Sequence, residues 1–233
     1  MIAEFKVSNF YSIRSEQRLS FIASRDNFME EEYIHPASED VRLLKIGMIY
    51  GSNASGKSNV LKALAYFRRL MVYSPSDKNE KMGWVPFLLD DASRSGHCIM
   101  SMTFYLDGKR YILSVEFDGT RIYEEQLDVY LTNRPTSLYR RTYNRGTDSS
   151  EVTFSTKAKM SQKSQTIIEG NTINNSTVMA AFGKSNVELS LLNSVYDFFS
   201  LGFADELTPE KSLSDYTKNL LAKDRDGKLK RFL

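Results

Sequence analysis

One octapeptide, Gly51-Ser-Asn-Ala-Ser-Gly-Lys-Ser58, limits the fold of this chain more than any other stretch. The apolar run Ile46-Gly-Met-Ile-Tyr50 leads into it, and apolar residues at Val60, Leu61, Leu64, Phe67, Leu70 and Met71 follow at a period of three to four. The pattern predicts a strand, a phosphate-binding loop and a helix in direct succession. Gly51 and Gly56 let the loop turn without a Cβ, and the helix that begins near Gly56 aims the positive end of its dipole at an anion. Backbone N–H groups of the loop converge on phosphate oxygens, the Lys57 ammonium neutralises them, and the Ser58 hydroxyl ligates magnesium. These residues imply a site for a nucleoside triphosphate, ATP or GTP, with a magnesium ion.

The remaining composition narrows the setting. With 233 residues, 41% of them apolar, the chain has enough material for a full core in one large domain or two small ones. No run approaches the roughly 18 apolar residues a membrane helix needs, and Glu4 and Lys6 interrupt the N-terminus, so a cytoplasmic protein without a signal peptide is expected. Cys98 is the single cysteine and His35 and His97 the two histidines, which leaves no intramolecular disulfide and no soft ligand set for structural zinc. Cys98 and His97 resemble a nucleophile and its base, but neighbours in a strand point to opposite faces, which favours ordinary packing.

Net charge is +2, so the whole chain carries no nucleic-acid signature. Between 134 and 163, however, Arg134, Arg140, Arg141, Arg145, Lys157, Lys159 and Lys163 face only Asp148 and Glu151, with Tyr139 and Tyr143 interleaved. Such a run either grips the phosphate backbone of DNA or RNA or forms a solvated face.

Alternation through Phe5 and Val7 and again at Arg18-Leu-Ser-Phe-Ile22 predicts two paired strands ahead of the loop. The acidic stretch 26–40 reads as a surface loop entering a strand at 43–50. Polar residues 74–81 mark a boundary after the helix. From Ile99 the pattern becomes a β-meander, with Asp107-Gly108 and Asp118-Gly119 between alternating runs as type I′ hairpin signals, and strands at 137–143 and 152–155 continuing the sheet. Helical periodicity returns at Val187, Leu191, Leu192, Val195, Phe198 and Phe199, and after Pro209 at Leu213, Tyr216, Leu220 and Leu221. The expected segments are 1–75 with the N-terminal strands, loop and helix, 76–156 with the meander, and 157–233 as a helical part. The expected fold is an α/β phosphate-loop lobe with a mixed, twisted sheet, an antiparallel β-extension and a C-terminal helical part.

Hydrolysis by such a loop normally needs a second apolar strand ending in a carboxylate that serves magnesium and the attacking water. Trp84-Val-Pro-Phe-Leu-Leu-Asp-Asp91 has that shape, but Pro86 cannot donate to a central ladder. Val115-Glu-Phe-Asp118 ends in a hairpin turn, and Phe203-Ala-Asp-Glu206 lies in a helix-rich region. No catalytic residue is assigned.

Phe5-Lys-Val-Ser-Asn-Phe-Tyr-Ser-Ile13, Leu19-Ser-Phe21 and Ile49-Tyr-Gly-Ser-Asn-Ala-Ser-Gly-Lys-Ser-Asn-Val-Leu-Lys-Ala63 together resemble the N-terminal part of bacterial AAA-type ATPases with SMC- and ABC-like heads. Pro86-Phe87-Leu88, Glu124-Glu125-Gln126-Leu127 and Asn171-Thr172 are similar to the subgroup found in abortive-infection and other anti-phage systems, and RecF-like and overcoming-lysogenization-defect ATPases share the first two motifs. The resemblance implies that Asn53, Ser55, Gly56, Lys57, Ser58 and Asn59 line the phosphates of ATP and that residues 9–12 approach the nucleotide. Tyr11 stands where relatives often carry arginine. Family members continue past position 233, where their signature segment, acidic strand and switch histidine lie, so the resemblance implies an N-terminal portion.

Four functions follow as expectations. The first is the ATP-binding part of an ATPase that dimerises or oligomerises through its heads and switches a defence effector, with the 134–163 surface open to DNA or RNA. A non-catalytic nucleotide-sensing scaffold is the second, beside a RecF-like repair ATPase. A small-molecule kinase comes last, because it has no need of the meander.

Overall fold

The computed structural model describes residues 1–26, 29–132 and 134–203. In β1 (Ile2–Ser8) the odd positions Ala3, Phe5 and Val7 turn inward, as a half-buried strand requires. β2 (Gln17–Ser20) pairs antiparallel with it, Phe5 opposite Leu19. A short helix α1 (Glu30–Tyr33), then β3 (Ile34–Ser38) and β4 (Val41–Leu44), make a small hairpin. The expected surface loop at 26–40 is thus partly regular, because Ile34, Ala37 and Leu43 bury their side chains.

The strand expected at 43–50 ends at Leu44. Residues 46–50 are not a strand, and Met48 and Tyr50 are 73% and 84% exposed. A strand exists through its partners, and among the described residues no backbone hydrogen bond is recorded for 46–50.

The loop gives way to α2 (Lys57–Val72), which buries Ala63, Phe67, Leu70 and Met71 along one stripe. Residues 84–90 form no strand, as Pro86 predicts, and α3 (Asp91–Arg94) follows. The meander comprises β5 (Cys98–Leu106), β6 (Lys109–Phe117), β7 (Ile122–Tyr130), β8 (Pro135–Asn144) and β9 (Ser149–Phe154). With β1 and β2 they form one seven-stranded sheet in the order β2-β1-β5-β6-β7-β8-β9. β1 and β2, expected within segment 1–75, therefore share a sheet with the meander of 76–156. Every recorded pairing is antiparallel, which corrects the expected mixed sheet: each step within the meander is a hairpin, and β1 meets β5 head to tail.

The two Asp-Gly signals resolve differently. Asp107 and Gly108 both adopt positive φ, 50° and 71°, the backbone of a type I′ turn. Asp118 does not. Its carboxylate accepts from the Thr120 and Arg121 N–H groups and the Thr120 hydroxyl, folding 118–121 into a longer Asx-type loop.

Three more helices complete the described chain: α4 (Gln162–Asn171), α5 (Val178–Gly183) and α6 (Ser190–Ser200). α2 packs against both α5 and α6. The helical reading at Val187 to Phe199 is met by α6 from Leu191 onward, with Val187 buried ahead of the helix, whereas the one after Pro209 falls outside the described residues. One core joins sheet and helices, with Phe5 and Phe199 rings set edge-on to Phe67 at 5.6 and 5.8 Å. Cys98 lies inside it, where burial pushes its thiol pKa up. His97 points the other way, 2.6 Å from Glu116 and stacked on Tyr123.

Two buried charges tie this core to the end of α2. Arg141 is 0% exposed and donates to the carbonyls of Ile173, Asn174 and Ser176 and to Ser150 Oγ. Glu125 accepts from Tyr139 Oη at 2.7 Å and from the Val178 and Met179 N–H groups. Burial raises the Glu125 pKa against the pull of Arg141, and burial lowers Arg141 to about 10 against the pull of Glu125. The segment these residues hold grips α2: Thr177 Oγ1 donates to the Leu70 carbonyl at 2.6 Å, and Ser176 Oγ meets Ser74 Oγ at 3.0 Å.

Candidate nucleotide site

Gly56 caps α2 with φ 92° and ψ 6°, in the left-handed region that favours glycine, and Ala54 precedes it at φ 62°. That reversal turns the loop so that the first N–H groups of α2, which have no acceptor within the helix, face outward. α2 carries no acidic residue in its first turn, so nothing offsets the positive end of its dipole. The Lys57 ammonium folds over the loop and donates to the Gly51 and Ser52 carbonyls at 2.9 and 2.6 Å. Side chains here would displace neighbouring serines: a Cβ at position 51 would stand 2.6 Å from Ser55 Oγ, and one at 56 would stand 3.0 Å from Ser12 Oγ.

Two cavities meet at this loop. The smaller, 330 Å³, is lined by residues 54–59 and Ser12 and is the concave side of the cradle. The larger, 460 Å³, runs from Ser55, Gly56 and Lys57 toward the N-terminal strands. Phe5, Val7 and Leu19 give it an apolar floor, Gln17 and Arg18 a polar edge, and Tyr50 stands at its mouth. Its size lies within the roughly 300–1,000 Å³ of small-molecule sites. Both cavities are positive in character: Arg14 and Arg18 line the larger, although Arg14 also meets Asp90 at 3.3 Å and Arg18 meets Glu4.

The expected site residues separate into three groups. Ser55, Gly56, Lys57 and Ser58 line the cradle, and Gly51 contributes a carbonyl to Lys57. Asn53 is exposed and lines neither cavity. Asn59 borders the cradle, but its side-chain amide donates to Ser12 Oγ at 2.7 Å. Residues 9–12 do reach the loop, through Ser12. The turn that carries Ser12 is fixed by Asn9, in the left-handed region at φ 51°. Its amide donates to the Ser93 and His97 carbonyls, and its side-chain oxygen accepts the Phe87 N–H. Tyr11 lies beneath Lys62, whose ammonium is 5.3 Å from the ring centre. Gln17, Arg18 and Tyr50 escaped the sequence reading. The β1–β2 pairing that puts Gln17 and Arg18 beside the loop was legible, but its position relative to the loop was not.

The carboxylates of Asp90, Asp91 and Glu116 line neither cavity and are committed to partners of their own. Asp90 caps α3, accepting from Ser93 N–H and hydroxyl, and the Ser93 hydroxyl bond leads the causes that hold its carboxyl below the usual range. Asp91 pairs with Arg94, and Glu116 with His97. Among the described residues no group of three or more His, Cys, Asp or Glu side chains is placed to hold a metal ion. Magnesium still fits: it characteristically keeps few protein ligands beside phosphate oxygens and water, and the exposed Ser58 hydroxyl can be one.

The basic run divides as well. Arg141 and Tyr139 are buried, Tyr143 bonds Asp148 at 2.7 Å, and Arg140 lies 3.4 Å from Glu124.

A glycine-capped helix and a lysine folded over the loop define a phosphate-loop nucleotide-binding domain. Residues 47–191 match the family described as AAA domain, putative AbiEii toxin, type IV toxin–antitoxin system, and the chain belongs to that family. It is accordingly a nucleotide-binding ATPase domain. Comparison with curated proteins finds no match. No helix among the described residues is long and apolar enough to cross a membrane.

Proposed function

We propose that this chain binds ATP with magnesium and is the ATP-binding part of an ATPase with an SMC- or ABC-like head, in which nucleotide drives dimerisation and switches an effector in anti-phage defence. The observation that carries the nucleotide part is the left-handed Gly56 cap, which turns the free donors of an acid-free α2 N-terminus into a cradle beneath Lys57. The triphosphate lies in the cradle, and the nucleoside extends into the 460 Å³ cavity over Phe5, Val7 and Leu19. Ser55, Gly56, Lys57 and Ser58 hold the phosphates, with Ser58 on magnesium, whose chemistry there is charge neutralisation of the phosphate oxygens. The family's description as a putative toxin of a toxin–antitoxin system supports a defence setting. Head-to-head association, an effector partner and a cytoplasmic location belong to the same proposal.

A second reading is a nucleotide-sensing scaffold that does not hydrolyse, and the commitment of Asp90 to capping favours it. A RecF-like role with nucleic acid is less well supported, since Arg141 and Tyr139 are withdrawn from the basic run.

Binding of a fluorescent ATP analogue with magnesium, in wild type and Lys57→Ala, tests the reading. Losing charge-assisted bonds to two phosphates is expected to weaken binding about 100-fold. ATP turnover by the chain alone is expected below ~1 per second, the low end of ordinary enzymes. Equal binding by both proteins would remove the loop from the account, and Lys57-dependent turnover above that rate would mean a catalytic carboxylate lies within these residues.

A further inference from the structure

Asn59 follows the loop's serine directly and borders the cradle, which makes it a natural phosphate ligand by position alone. Its side chain is turned elsewhere. The amide Nδ2 donates to Ser12 Oγ at 2.7 Å across 47 residues of sequence. Ser12 in turn lines both cavities and is the residue outside the loop that does so. Its hydroxyl oxygen also stands 3.0 Å from where a Cβ on Gly56 would be, so it backs the residue whose left-handed turn shapes the cradle.

The Ser12 turn is held from behind. Beyond the Asn9 side-chain bonds, the Asn9 carbonyl accepts Trp84 Nε1 at 2.8 Å, and Tyr11 N–H donates to the Val85 carbonyl at 2.9 Å. A hydrogen-bonded turn thus presents one hydroxyl to the start of α2, and Asn59 is the clasp.

We propose that Asn59 and Ser12 are a positioning pair. Asn59 does not bind phosphate itself; it locks the 9–13 turn onto the first turn of α2, so that Ser12 holds Gly56 and forms the wall between the phosphate cradle and the nucleoside cavity. This rests on the nucleotide reading above and assigns Asn59 a different role within it.

The test is a double-mutant cycle on the full chain: wild type, Ser12→Ala, Asn59→Ala and the double variant, each titrated with the fluorescent ATP analogue and magnesium, with Lys57→Ala alongside. Loss of one hydrogen bond is expected to weaken binding about five-fold in either single variant. Because both remove the same bond, the double variant is expected to lose about five-fold as well, not twenty-five-fold. The bond is exposed, so all four proteins are expected to unfold at nearly the same temperature without nucleotide. Additive losses would show Asn59 reaching the ligand independently of Ser12 and would overturn the pair. So would unchanged affinity in both single variants, while the Lys57 dependence kept the nucleotide reading intact. Absence of Lys57-dependent binding in wild type would overturn both.

Discussion

Arg141→Met is expected to lower the unfolding free energy by about 3–5 kcal/mol, the cost of breaking a buried charge network by removing one partner. The methionine fills similar space but leaves the Ser176 carbonyl without its donor, takes a second donor from the Ile173 and Asn174 carbonyls, and removes the positive charge near Glu125. Those carbonyls belong to the segment whose next residue, Thr177, holds the Leu70 carbonyl near the end of α2. The loss therefore reaches the helix that carries the phosphate loop. Urea unfolding followed by circular dichroism measures it, with Arg140→Met as the control. Arg140 is exposed and its contact to Glu124 is long, so that change is expected to stay within about 0.5 kcal/mol. Equal effects at 140 and 141 would contradict the burial of Arg141.

Gly56→Val is expected to abolish measurable nucleotide binding. A β-branched residue at φ 92° costs on the order of 1–3 kcal/mol in backbone strain, and its Cβ would press Ser12 Oγ at 3.0 Å. The loop relieves both by abandoning the turn that directs the first N–H groups of α2 outward. Titration with the fluorescent ATP analogue and magnesium checks this, and wild-type affinity in the variant would mean that the cradle does not depend on the Gly56 conformation.

The loop and its helix were legible because each residue of the motif answers to one local demand: a glycine at positive φ, a lysine within reach of the loop, a stripe at 63, 67, 70 and 71. The same holds for Asp107-Gly108, where the turn needs nothing beyond two residues. Asp118-Gly119 reads identically in sequence, yet its neighbour Thr120 supplies a hydroxyl and an N–H that capture the aspartate, and the capture outcompetes the tight turn. Arg141 was misread as surface charge for a similar reason. The pairing of β7 with β8 shifts between Leu127 and Asp128, so Leu138 is an extra residue, and the alternation after it changes phase. Tyr139 and Arg141 then fall on the core side, which strict alternation from Leu138 would not give. Residues 46–50 show the opposite limit. Their apolar character predicts a strand, but strand formation needs backbone partners that the local sequence cannot supply. The nucleoside cavity was hidden because it arises where β1, β2 and the loop meet in space.

Photolabelling with azidoadenosine triphosphate and magnesium, mapped by peptide mass spectrometry, tests the site most directly. Label is expected on peptides carrying Arg14 to Leu19 or Ile49 and Tyr50, the walls of the larger cavity, with the signal lost in Lys57→Ala and in excess ATP. Label elsewhere on the chain, or label indifferent to Lys57 and to competing ATP, would contradict it.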